Sequence, residues 1–149
     1  MFSRTQVLLL VLVVIFGLSV IVGAAGSQES ERSDLQLELA DLLFVDERYW
    51  EAIPAYQEAK RGATSEQRVR ASSGLLRSLL SVAEFGRAHL EAVELRNLQP
   101  VDSEVRALYA DGFWAAGLFE EAENIYRDIL STDPNSAGAH AGLGRSLVT

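Results

Sequence analysis

The sequence predicts an all-α molecule, a solenoid of antiparallel helix hairpins standing behind an apolar N-terminal segment. Three observations carry this reading. Apolar residues recur at three- and four-residue steps, as in Leu35, Leu39, Leu42 and Leu43 or Leu75, Leu79, Leu80 and Val82, and no run alternates in the manner of a strand. Breakers at Asp46-Glu47, Gly62-Ala63-Thr64, Ala83-Glu84, Gln99-Pro100, Gly117 and Asp133-Pro134 cut the pattern into segments of about a dozen residues. The chain also repeats itself at a fixed step: Pro100 and Pro134, Phe85 and Phe119, Ala88 and Ala122, Leu75 and Tyr109, and Tyr109 and Leu143 are each 34 residues apart. A single hairpin cannot bury its apolar side alone, so units at such a period must stack.

The first element is a targeting segment over residues 1–25. Arg4 is the only charge before Glu29, and Val7 to Val22 is an uncharged, predominantly apolar run that exits through small residues. It reads as a signal peptide cleaved after Ala24 or Ala25, or as an uncleaved membrane anchor, since about 20 apolar residues suffice to span a bilayer. Gly17, Ser19 and the small-residue exit favour cleavage. Both readings export the rest, because Arg4 precedes the span while Glu29, Glu31 and Asp34 follow it. The expected location is the bacterial periplasm or the outside of the cell, with residues 7–25 holding the chain to the inner membrane if uncleaved. Residues 26–32, polar and without periodic apolar positions, read as a linker, and residues 33–149 as the repeat domain.

The repeat is identified by its residue types. The tetratricopeptide repeat (TPR) has a 34-residue helix-turn-helix unit with the pattern W-x2-L-G-x2-Y, then A-x3-F, then P. Unit three, 103–136, resembles it best: Tyr109-Ala110 with Phe113, then Ala122 with Tyr126, then Pro134. Unit two, 69–102, has Leu75-Leu76 with Leu79, Ala88 and Pro100, but Ala92 stands where an aromatic is expected. Unit one, 33–68, has Leu39-Ala40 with Leu43 and Ala52 with Tyr56, no closing proline, and a two-residue insertion around Gly62 to Glu66. A partial unit, 137–149, supplies one extra helix. The tryptophan position is filled by Gln36, Ser72, Arg106 and His140. Alanines at 40, 52, 88, 110 and 122 let paired helices approach closely, and the large residues fill the gaps between. Pro54 is expected near the start of its helix, where backbone donors have no internal partner. The resemblance implies a right-handed solenoid whose first helices line a concave groove.

Composition narrows the function. The 149 residues carry a net charge of −8 and a pI near 4.7, so the basic surface that nucleic-acid binding needs is missing. There is no cysteine, hence no disulfide, thiolate metal site or thiol nucleophile. His89 and His140 lie in different units without partner ligands and read as ordinary surface histidines. No Gly-x-Ser-x-Gly elbow or phosphate loop occurs. Glu120, Glu121 and Glu123 suit the start of a helix, where the macrodipole favours carboxylates. No cofactor, metal or catalytic activity is expected of these residues, which leaves binding of a protein or peptide. Ala137 to Thr149 starts a fourth unit without its second helix. This favours a chain continuing past Thr149 over a terminal cap, and makes the alternative function a recruiting arm of a longer exported enzyme such as a protease. Self-association through the last helix is a further expectation.

By resemblance, the groove candidates are Asp41 and Phe44 in unit one, Arg70 and Arg77 in unit two, and Asp111 and Trp114 in unit three; Leu37, Ser73, Glu104 and Leu108 share those faces. One position alternates in sign, reading Asp41, Arg77, Asp111 and Arg145 at steps of 36, 34 and 34. Those charges either neutralise one another between neighbouring helices or form a zwitterionic groove with Phe44 and Trp114 as aromatic contacts; Trp114 could equally pack on the next repeat. A subset of the family clamps the carboxylates of acidic tails. Its positions hold Leu37, Asp41, Gly74, Glu104 and Leu108 here, so an acidic tail is not the expected ligand.

Overall fold

The computed structural model describes residues 26–147. They form seven helices: α1 (26–45), α2 (Tyr49–Ala59), α3 (Ser65–Ser81), α4 (Phe85–Asn97), α5 (Ser103–Ala115), α6 (Phe119–Thr132) and α7 (Ala137–Ser146), with no strand among the described residues. Each helix from α2 onward packs on the next in sequence. In addition α3 touches α5 and α5 touches α7, so the first helices of successive hairpins lie side by side along one face.

The hairpin turns share one geometry. Glu47, Ala83 and Gly117, at steps of 36 and 34 residues, all take left-handed backbone, with φ of 59°, 58° and 82°. In each turn the amide one residue further on donates to a carbonyl five residues back: Arg48 to Leu43, Glu84 to Leu79 and Leu118 to Phe113, at 2.9–3.0 Å. Such a bond caps the carbonyls that a helix end leaves open. Only the third turn supplies the glycine that the conformation favours.

The core follows a rule of paired sizes. Tyr56 lies so close to Gly74 on the next first helix that a Cβ there would sit 2.2 Å from its ring, and Tyr126 stands in the same relation to Gly142. In the middle junction the matching positions hold Ala92 and Leu108, both buried. The missing aromatic of unit two is thus accompanied by a larger residue on the facing position.

Polar bonds fasten one hairpin to the next. Lys60 Nζ bridges Glu91 at 2.7 Å and Glu94 at 2.8 Å, with the Lys60 and Glu91 side chains nearly enclosed. Glu104 accepts from Ser136 Oγ at 2.8 Å and from the Gly138 amide at 3.0 Å, so α5 caps the start of α7.

Several expectations are corrected. Residues 26–32 are no linker but the first turns of α1. They are helical because α2 and α3 hold them: Gln67 Nε2 donates to the Ser30 carbonyl and hydroxyl, both at 3.0 Å, and Arg32 pairs with Glu58 at 3.0 Å. Next to them the buried Ser33 hydroxyl donates to the Ala59 carbonyl at 2.5 Å. Leu35, Leu39 and Leu42 do not form the buried stripe. They are 67%, 48% and 66% exposed, while Leu37 and Ala40 face the core. The equivalents of Leu39, Leu75 and Tyr109, are buried because α3 and α5 have a hairpin on either side; no described residue precedes α1. Pro54 is the sixth residue of α2, beyond the first turn, and the helix runs through it to Ala59 at the loss of one internal hydrogen bond. The targeting segment over residues 1–25 lies outside the described residues. Among those described, no helix is long and apolar enough to cross a membrane.

Candidate functional site

The first helices and the α4–α5 turn enclose a groove of about 810 Å³. Its floor is α3, which contributes Val69, Arg70, Ser73 and Arg77. Asp41, Phe44 and Val45 from α1 form one wall, and Val101 and Val105 at the start of α5 form the other. Four of the six residues expected from sequence, Asp41, Phe44, Arg70 and Arg77, meet here. Asp111 and Trp114 do not line it; they stand one junction further on, against α7. Leu37 is fully buried beneath the surface, and Glu104 is spent on capping α7.

The two aspartates occupy equivalent three-way sites. The Tyr56 hydroxyl donates to Asp41 at 2.6 Å, and the other Asp41 oxygen takes a hydrogen bond from Arg70. The Tyr126 hydroxyl donates to Asp111 at 2.6 Å, and Arg145 bonds to the same carboxylate. Burial first, then the bond to the aspartate, pushes both tyrosine hydroxyls well above the ordinary phenol range. Burial also raises the Asp111 carboxyl, against the lowering influence of Tyr126 and Arg145. The charge alternation is therefore satisfied between neighbours at Asp111–Arg145. At Asp41 the partner is Arg70, two turns before the expected Arg77. Arg77 is exposed, and its side chain forms no hydrogen bond or ion pair among the described residues.

The aromatic candidates pack within the solenoid. Trp114 meets Phe119 edge-on at 5.7 Å, and the Arg145 guanidinium lies 5.5 Å over its ring, so Trp114 packs on the following repeat. Phe44 makes the corresponding edge contact with Tyr49 at 5.2 Å while still facing the groove. His89 is not a surface histidine. It is half-buried, edge-on to Phe113 at 5.1 Å. His140 Nε2 donates to the Pro134 carbonyl at 2.8 Å. No group of three or more His, Cys, Asp or Glu among the described residues is placed to hold a metal.

Sequence reasoning missed Val45, Val69, Val101 and Val105. A fixed repeat phase directs attention to one face of each first helix, whereas Val101 belongs to the turn. The signal was an apolar residue directly after Pro100, 97% exposed in the fold.

Residues 103–146, which are α5 to α7, match the family model described as tetratricopeptide repeat. The first TPR of Spaghetti (RPAP3), solved bound to an HSP90 peptide, superposes with a TM-score of 0.70 at 18% identity, covering 78% of this chain and 91% of that one. A Plasmodium falciparum TPR-containing domain of a putative FK506-binding protein gives 0.73 at 13% identity, covering 82% and 90%. The second TPR domain of human RPAP3, in complex with an HSP70 peptide, gives 0.68 at 14%, covering 81% and 97%. Residues 103–146 carry a tetratricopeptide repeat, and the described residues have the TPR fold. No curated protein sequence matches the chain. In a TPR solenoid the first helices are α1, α3, α5 and α7, and the groove just described occupies the part of their common face between α1 and the start of α5.

Proposed function

We propose that this TPR chain is a binding scaffold that holds an extended peptide segment of a partner protein in its concave groove, outside the cytoplasm, without altering it chemically. The observation that carries this is the groove itself: about 810 Å³, open, walled by valines and a phenylalanine, with Arg70 and Arg77 on its floor. That is a lining suited to side chains of a peptide rather than to a reaction. Two similar solved structures hold peptides, which supports the same use of the fold here. The placement outside the cytoplasm is supported by Arg4 and the apolar run Val7 to Val22.

A random decapeptide library panned on the full chain in detergent tests the binding reading. Selected peptides are expected to bind the wild type and to be lost on Val45→Glu plus Val101→Glu, two exposed groove positions. Failure to select any peptide, or selection of peptides indifferent to both changes, overturns it. For the location, alkaline phosphatase fused after Thr149 should be active in a bacterial host; an inactive, intact fusion overturns the export.

A further inference from the structure

Charged groups in and beside the groove are mostly committed. Asp41 is held by both Tyr56 and Arg70, and Asp111 by both Tyr126 and Arg145. Among the cations that line the groove Arg77 is the uncommitted one, a solvent-facing guanidinium on the floor with no ion pair among the described residues; of the anions, Glu66 is likewise unpaired. Arg77 lies within electrostatic reach of Tyr56, the partner of Asp41, and the groove that it faces has apolar lining from two directions, Phe44 and Val45 from α1 and Val101 and Val105 from the α4–α5 turn and the start of α5. Ser73 and Gly74 keep the floor between them low. A positive group between two apolar walls is complementary to one negative side chain carried between apolar ones.

We propose that the groove selects an apolar peptide segment bearing a single Asp or Glu, whose carboxylate docks on Arg77 while its neighbours fill the Phe44–Val45 and Val101–Val105 walls. This rests on the groove reading above and specifies its ligand. Runs of acids are disfavoured, because Asp41, Glu66 and Asp102 also line the groove and one cation meets one carboxylate. A basic peptide would set its charge against Arg77.

The test uses the peptides panned on the full chain, with binding measured by fluorescence anisotropy. Selected sequences should carry one Asp or Glu flanked by apolar residues, and its change to Asn or Gln should weaken binding about tenfold, as expected for losing a charge-assisted bond. Arg77→Met, which keeps the apolar stem, should give the same loss with the wild-type peptide and none with the amide peptide. Panning on Arg77→Glu should select Lys or Arg at that position instead. Arg77 is exposed, so these variants keep their fold, checked by circular dichroism. If peptides bind the groove but show no acidic preference, or bind Arg77→Met unchanged, this inference is overturned while the groove reading stands. If no peptide is selected, both fall.

Discussion

Ala83 shows how a single residue can be strained by its place in a repeat. It takes the left-handed conformation that Gly117 adopts at the equivalent turn, and its Cβ makes that conformation costly. Ala83→Gly should therefore raise stability by about 0.5–1 kcal/mol, and Gly117→Ala lower it by about 1 kcal/mol or more, in urea denaturation; no gain in the first variant would contradict the strain. At the aspartate sites, Tyr126→Phe strips a hydroxyl from a half-buried carboxylate and should cost about 1–3 kcal/mol. Asp111 also carries a pH signature. Its folded value is raised, so its contribution to stability is fully present below the unfolded carboxyl value near 3.9 and is lost as pH rises through the folded value. Asp111→Asn lacks this contribution. The advantage of the wild type over the variant should grow as denaturation is repeated from pH 7 down to pH 4, and an unchanged or shrinking difference would refute it.

At the scale of helices, the turn positions were legible in the sequence because breakers act locally: all six named breaks coincide with turns. The start of α1 was not, because Ser30, Arg32 and Ser33 are held by Gln67, Glu58 and Ala59, partners 26 to 37 residues away that local pattern does not reveal. Nor was its rotation, since Leu35, Leu39 and Leu42 compete with Leu37 and Ala40 for the core and only the neighbouring hairpin decides. Of the groove, the repeat phase exposed Asp41, Phe44, Arg70 and Arg77 but concealed the turn residue Val101. It could not tell that Trp114 would be covered by Arg145. Packing between helices gives a sharper prediction. Tyr56→Ala alone should cost about 3–5 kcal/mol, and Gly74→Leu about 1–3 kcal/mol through collision with the ring. Together they reproduce the Ala92 and Leu108 arrangement of the middle junction. The double variant should be more stable than the sum of the two by about 0.5–3 kcal/mol, and strict additivity would rule out the size pairing.

The whole molecule is a linear stack in which each hairpin depends on its neighbours. Lys60 ties the first hairpin to the second through Glu91 and Glu94. Lys60→Met leaves an enclosed carboxylate unpaired and should cost about 3–5 kcal/mol. Because contacts along the stack are local, hydrogen exchange should quicken mainly in α1 and α2 and less in α5 and α6; uniform acceleration would mean that the stack unfolds as one unit. The paired sizes carry a consequence for how such a chain can lengthen or shorten. Units one and three carry Asp and Tyr and are followed by Gly, whereas unit two carries Arg and Ala and is followed by Leu. Excising one unit would press Tyr56 against Leu108, whereas excising two would return it to a glycine, Gly142. The spelling of this chain recurs every 34 residues, but its grammar recurs only every two units, so gene duplication or deletion keeps the solenoid intact when it moves hairpins in pairs.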